Sequence, residues 1–271
     1  MDLGELITTA DAAILLGVGP STVKRWADDN ELPCVRTAGG HRRFLRGDVE
    51  RFRGAREEDI SEQWVRRLTH ETDGYEIAGA LLQLRAETGS WWQTSERLGG
   101  AVELLGIRWQ RGELSILDEH QASERLTRGL NWCSQTILVP PSSPRCLLAL
   151  ADGDEHTLGL SLLEPIAREA GWRTWWAGRK TPAEELVKVI ERRDVEMVAV
   201  SASAHSQDRR VLADFYDQLE AAAGDAVRVV LGGHGAWPEV RAPHHRLRRF
   251  SEFRQLLEEL KAQANPLEQA G

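Results

Sequence analysis

The chain has little cysteine, little tyrosine and no long hydrophobic run. Only three of its 271 residues are cysteines, Cys34, Cys133 and Cys146, and they are scattered. So few cysteines exclude a disulfide scaffold and a cysteine-based zinc site, and they fit a reducing cytoplasm. No apolar stretch approaches the roughly 18 residues a membrane span needs, and no membrane partner is expected. The opening segment MDLGELITTADAA lacks a basic region and an apolar core, so it does not read as a signal peptide. Positive charge is in deficit: 34 Lys and Arg against 42 Asp and Glu leave a net charge of −8. That balance argues against a chain that coats nucleic acid throughout, but it leaves room for one basic module. What is present suits a soluble protein of two domains, or three small ones, at about 100–200 residues per domain. Ten tryptophans stand against two tyrosines.

The charge is unevenly placed. Residues 1–53 are net neutral, and the whole negative excess lies beyond them. Within residues 20–46, Lys24, Arg25, Arg36, Arg42, Arg43 and Arg46 outnumber Asp28, Asp29 and Glu31, a local net of +3. Two breaks are expected, at the polar stretch RGAREEDISEQ (53–63) and at VPPSSP (139–144), where proline and serine favour extended backbone. Between them apolar residues recur at three- and four-residue spacing, which predicts helices near 63–71, 75–89, 92–108 and 114–135. Beyond the second break, short apolar runs (CLLALA, WRTWWA, MVAVSAS, VRVVLGG) alternate with amphipathic stretches. That pattern predicts βαβ units and a parallel sheet.

At the N-terminal end, Thr9 is a candidate cap for a short helix over ADAAILLGV. Gly17-Val18-Gly19 makes a turn, and Pro20 opens a second helix over STVKRWADD. PCVRTAGGHRRF then reads as two strands around a Gly39-Gly40 tip. The pattern is a helix-turn-helix with a basic wing. Ser21, Thr22, Lys24 and Arg25 lie early on the second helix, where bases and phosphates are met; His41, Arg42 and Arg43 lie on the wing. Trp26 reads as core. The stretch, and GGHRRF above all, resembles the MerR-type winged helix, a module that reads double-stranded operator DNA in pairs.

In the last segment, Asp154-Glu155-His156 follows the first apolar run, and Gly159 opens the next helix. Ser201-Ala202-Ser203 ends the third run and Gly232-Gly233 the fourth. All lie at the carboxyl ends of predicted strands, where open α/β sheets bind ligands. The set resembles the cobalamin-binding signature D-x-H-x-x-G, S-x-(L/T/V) and G-G, with 41 residues between Gly159 and Ser201 and 28 between Ser203 and Gly232. Ser203 is smaller than the usual third residue of S-x-(L/T/V). The resemblance implies that His156 is the lower axial cobalt ligand and that Asp154 holds its other ring nitrogen. It further implies that Ser201 and Ser203 offer hydroxyls to the displaced nucleotide tail, for which Gly232 and Gly233 leave room.

Between these segments, Trp109 is followed at W-x9-E-H spacing by Glu119 and His120. This resembles the CarH-type light-responsive repressors, in which a four-helix bundle caps the upper face of cobalamin. The resemblance implies that Trp109 shields an adenosyl group, that Glu119 bonds its ribose and that His120 orients Glu119 or touches the cofactor. Gln110 stands where the light-sensing members carry a histidine, and an amide is a poor cobalt ligand beside imidazole. His120 or water is left for that position.

The resulting expectation is a winged helix-turn-helix (1–56), a four-helix bundle (60–138) and a flavodoxin-like, Rossmann-type cobalamin-binding domain (144–265). The function implied is a cytoplasmic regulator, not an enzyme: a repressor in which adenosylcobalamin and light control a homo-oligomer, dimer or tetramer, on DNA. A corrinoid methyl carrier, or a cobalamin-binding regulator with another trigger, are the alternatives.

Overall fold

The computed structural model describes residues 5–70 and 74–264. The expected helix end at 71 and domain end at 265 lie outside the described residues, as does the start of the opening segment. The chain divides into two compact units, residues 1–72 with 82–122, and residues 73–81 with 123–271.

In the first unit, strand β1 (Leu6–Thr8) precedes helices α1 (Thr9–Leu16) and α2 (Pro20–Asp28), with strands β2 (Val35–Arg36) and β3 (Arg42–Leu45) after them. The three strands pair antiparallel in the order β1-β3-β2. The cap of α1 is Thr8, not Thr9. Thr8 accepts from the Asp11 amide, and the Asp11 carboxylate accepts from the Thr8 amide at 3.0 Å. Only Thr8 stands three residues before an acidic partner, which is what a capping box requires. Pro20 occupies the first turn of α2, as expected. Ile7, Ala12, Leu16, Val23, Trp26, Leu32 and Phe44 form a small core. Trp26 tilts against Phe52 at 5.2 Å, and the Arg56 guanidinium lies 4.6 Å over its ring.

The expected break at 53–63 is absent. Helix α3 runs unbroken over Arg46–His70, 25 residues. The stretch is polar but holds no proline, and its Arg, Glu, Ala and Gln residues are good helix formers. Polarity here does not mark a linker. Helices α4 (Gly74–Thr88), α5 (Trp91–Gln110) and α6 (Ile116–Thr136) follow. In the first unit α3 packs on α5, where Glu62 takes two hydrogen bonds from Arg108, each 2.6 Å long. The Gln93 side chain of α5 also donates to the Gly17 carbonyl in the helix-turn-helix turn, at 3.3 Å.

The second unit holds a five-stranded parallel sheet. Its strands are β4 (Arg145–Leu150), β5 (Arg173–Trp176), β6 (Met197–Ala202), β7 (Arg228–Gly233) and β8 (His245–Arg246), in the order β5-β4-β6-β7-β8. The two-residue β8 was not expected; it is too short to carry a pattern. Between the strands run α7 (Leu158–Glu169), α8 (Ala183–Glu191) and α9 (Arg209–Ala223), and α10 (Phe250–Ala264) closes the domain. All six residues of β6 are buried, as a strand covered on both faces must be. The order makes β4 and β6 neighbours whose following connections diverge. This is the switch point of a flavodoxin-like sheet, where a crevice opens at the carboxyl ends.

In the same unit the later part of α6 packs closely on the start of α4. A Cβ built on Gly129 would lie 2.8 Å from Ile77 Cγ2 and 3.0 Å from Leu81 Cδ1. Arg168 of α7 donates to the carbonyls of Ser134 (2.6 Å) and Ile137 (2.8 Å) at the end of α6. Replacing Gly129 with Val should therefore cost about 1–3 kcal/mol by overpacking. The measure is the shift of the urea-unfolding midpoint; an unchanged midpoint would show that the helices separate freely.

Candidate cofactor site and nucleic-acid interface

The switch point is built around one carboxylate. Asp154 lies in the loop from β4 to α7 and is 3% exposed. Its Oδ1 accepts from the His156 amide and from His156 Nδ1, both at 2.9 Å. Its Oδ2 accepts from the Ser203 amide at 2.5 Å and the Ser206 hydroxyl at 2.7 Å, both in the loop after β6. Burial alone would raise the Asp154 pKa. The bonds from the His156 and Ser203 amides, the Ser206 hydroxyl and the His156 ring outweigh it, and hold the carboxyl well below the usual carboxylate range. A carboxylate without a proton accepts only, so the proton on the shared bond sits on His156 Nδ1. In a neutral imidazole so oriented the lone pair is on Nε2, and the side chain is 57% exposed. Oriented and accessible, Nε2 is the atom a transition metal would take.

The floor beside it is lined by glycines. A Cβ on Gly159 would come to 3.2 Å from Ser201 Oγ. Gly233 has φ of +79°, and a Cβ there would collide with the Ala202 carbonyl oxygen and approach Ser201 Oγ to 3.2 Å. Glycine is thus required at Gly233 by conformation and by space. Trp237 clamps the neighbouring turn by donating from Nε1 to the Gly232 carbonyl at 2.8 Å. Asp154, His156, Gly159, Ser201, Ser203, Gly232 and Gly233 are therefore brought to one end of one sheet. Their chemistry fits a corrinoid: a preset imidazole, an anion to hold it, and a glycine-lined floor. Ser203 acts through its backbone as well as its hydroxyl, which accepts from the His205 amide at 3.2 Å.

Two residues of this site were not expected from the sequence. Ser206 completes the shell around Asp154. His205 stacks on His156, with ring centroids 4.7 Å apart and planes within 4°. The available signal was the polar run Ser203–Gln207 directly after the strand.

Trp109, Glu119 and His120 belong to the first unit. Trp109 is half-buried near the end of α5, and Glu119 lies half-buried in the first turn of α6. Ser115 and Asp118 cap that turn, Ser115 Oγ donating to Asp118 at 2.7 Å. His120 is exposed, with Nε2 3.7 Å from Glu119 Oε2.

The winged helix places its basic residues in two ways. Lys24 of α2 and Gly40, His41, Arg42 and Arg43 of the wing line one shallow groove with Thr8, Thr9 and Ala10. Ser21 and Arg25 are exposed on α2 and Thr22 is half-buried there. Arg42 differs from the rest: its guanidinium pairs with Asp28 of α2, and its side chain is only 17% exposed. It braces the wing against the helix, and its charge is largely answered within the module.

The chain matches the model of a helix-turn-helix domain over residues 6–57 and that of a B12 binding domain over residues 144–244. It combines a helix-turn-helix domain with a B12-binding domain. A similar protein is the HTH-type transcriptional repressor CarA of Myxococcus xanthus, 26% identical over 85% of this chain and 87% of that protein. The glutamate mutase sigma subunit of Halobacterium salinarum is 33% identical over 34% of this chain and 60% of that subunit. Among solved structures, the monomethylamine corrinoid protein of Methanosarcina barkeri matches with a TM-score of 0.52 and 13% identity. It covers 75% of this chain and 99% of its own; at that identity the likeness is one of fold. No helix among the described residues is long and apolar enough to cross a membrane.

Two outcomes follow from the geometry. Because the folded-state pKa of Asp154 is depressed, its contribution to stability is full above the unfolded value of about 3.9 and is lost progressively as pH falls from there through the lower folded-state value. Asp154→Asn should lower stability at neutral pH and flatten the acid decline below about pH 4, as read by unfolding midpoints across a pH series. On the winged helix, Lys24→Ala and Arg43→Ala should each weaken binding to any duplex and lower the salt slope by about one. Arg42→Ala should reduce the melting temperature as well as DNA affinity. Equal salt slopes for all three and the parent would refute that division of roles.

Proposed function

We propose that this chain is a cobalamin-dependent transcriptional regulator, a repressor that uses adenosylcobalamin and cobalt chemistry to control its own oligomerisation on a double-stranded operator. The observation that carries this reading is the pairing in one chain of a basic winged helix with His156 held by Asp154 at the switch point. The similarity to CarA supports it, because that match spans most of both chains.

In this reading His156 Nε2 binds the cofactor's metal and Asp154 keeps the proton on Nδ1. Gly159, Ser201, Ser203, Gly232 and Gly233 receive the nucleotide tail. Trp109, Glu119 and His120 cover the upper side, Trp109 excluding water and Glu119 offering its carboxylate to a ribose hydroxyl. When bound, an alkylcobalamin supplies a cobalt–carbon bond that visible light can break. Linkage then does the rest: whichever state of the protein binds the cofactor more tightly is populated, and with it the oligomer that engages several half-sites. The winged helix, the helical region and the B12-binding domain act as three parts in the proposed cytoplasmic regulator, near residues 1–56, 60–138 and 144–265.

Gln110 supports a second trigger beside light, because the position carries an amide and not an imidazole. The absorption spectrum of the loaded chain, before and after illumination, decides between them. It is expected to show histidine ligation in the dark and a photoproduct after light, with a fall in mass on a sizing column and in DNA affinity. His156→Ala should weaken cobalamin binding or restore a base-on or water-ligated spectrum. Unchanged spectrum, mass and DNA affinity after light would overturn the light switch while leaving the cobalamin reading in place. Methyl transfer without DNA binding would point instead to a corrinoid carrier.

A further inference from the structure

We propose that His205 is a positioning residue that sets the ring plane of His156, and so the approach of Nε2 to a corrinoid metal. The proposal rests on the cobalamin reading above. A single hydrogen bond from Nδ1 to Asp154 places one edge of the imidazole but leaves the ring able to tilt about that bond. His156 is mostly exposed, so close packing does not hold it. The parallel His205 ring, 4.7 Å away and within 4°, is what opposes the tilt.

His205 is itself carried by a tight turn. The Ser206 amide donates to the Ser203 carbonyl (3.1 Å), the Gln207 amide to the His205 carbonyl (3.0 Å) and the His205 amide to Ser203 Oγ (3.2 Å). That turn hangs from the same carboxylate, because Asp154 Oδ2 takes the Ser203 amide and the Ser206 hydroxyl. One oxygen of Asp154 therefore holds the His156 ring by its edge. The other holds the loop that lays a second ring against its face. Stacking of this kind contributes beyond area burial, and its loss should change an equilibrium by about 2- to 12-fold.

The test uses the full chain, wild type, His205→Ala and His205→Phe, titrated with adenosylcobalamin and then reduced to the cobalt(II) form. The readouts are the dissociation constant and the fraction of cobalt showing nitrogen superhyperfine splitting from histidine. In the free protein, the ring-current shift and line width of the labelled His156 imidazole are read by NMR. His205→Ala should weaken binding about 2- to 12-fold, lower the histidine-ligated fraction and remove the ring-current shift. His205→Phe keeps a flat ring without a nitrogen and should restore all three. Wild-type values in His205→Ala, or a His205→Phe variant that behaves like His205→Ala, would overturn the role. A wild-type chain that binds no cobalamin would overturn the cofactor reading, and this role with it. A wild type that binds through His156, with His205→Ala unchanged, would remove this role alone.

Discussion

The B12-binding end of the molecule depends on a buried negative charge. Placing a carboxylate at 3% exposure is costly unless nearly every lone pair is answered. Asp154 is answered by two backbone amides, one hydroxyl and one imidazole, and all four belong to two loops that leave neighbouring parallel strands. The two loops are thus not independent. Each supplies donors to the same anion, and neither can move without exposing it. A site assembled this way is ordered before any ligand arrives, so little of the binding free energy is consumed in ordering it.

The winged helix is organised on the opposite principle. Apart from Arg42, its charges lie mostly at the surface, and several of them meet each other: Arg46 with Glu5 and Glu50, Arg56 with Glu31. Exposed pairs of this kind add little stability, but they subtract from the field that a DNA backbone would feel. The local excess of +3 in residues 20–46 is therefore an upper bound on what one module offers. On the proposed function, that is why control resides in the number of modules brought together and not in the strength of one.

Much of this was legible in the sequence, for identifiable reasons. The strands β4, β6 and β7 are continuous apolar runs, and D-x-H-x-x-G, the serines and the paired glycines fall at their ends because the chemistry of the site demands those residue types there. What escaped detection depends on partners distant in sequence or on very short elements. Strands β1 and β8, three and two residues long, exist because β3 and β7 offer them edges. Ser206 and His205 sit in a loop without periodicity, and their roles appear only when Asp154 and His156 arrive from 52 and 49 residues earlier. The polar stretch after residue 53 has the composition of a linker as much as of a solvated helix; only backbone propensity separates the two. The tryptophan excess resolves in part: Trp26, Trp64, Trp91, Trp172 and Trp237 are buried, while Trp132 and Trp175 remain 45% exposed.

The unbroken α3 carries an angular consequence. Its 25 residues form a rod of about 37 Å that starts at the wing and ends in the helical region. Along such a rod each residue added or removed turns one end by about 100° relative to the other, whereas seven residues return it to within about 20°. The segment near residue 55 therefore behaves as a gear tooth count and not as a tether. Its composition can drift widely, but its length is locked in phase with the direction in which the winged helix faces.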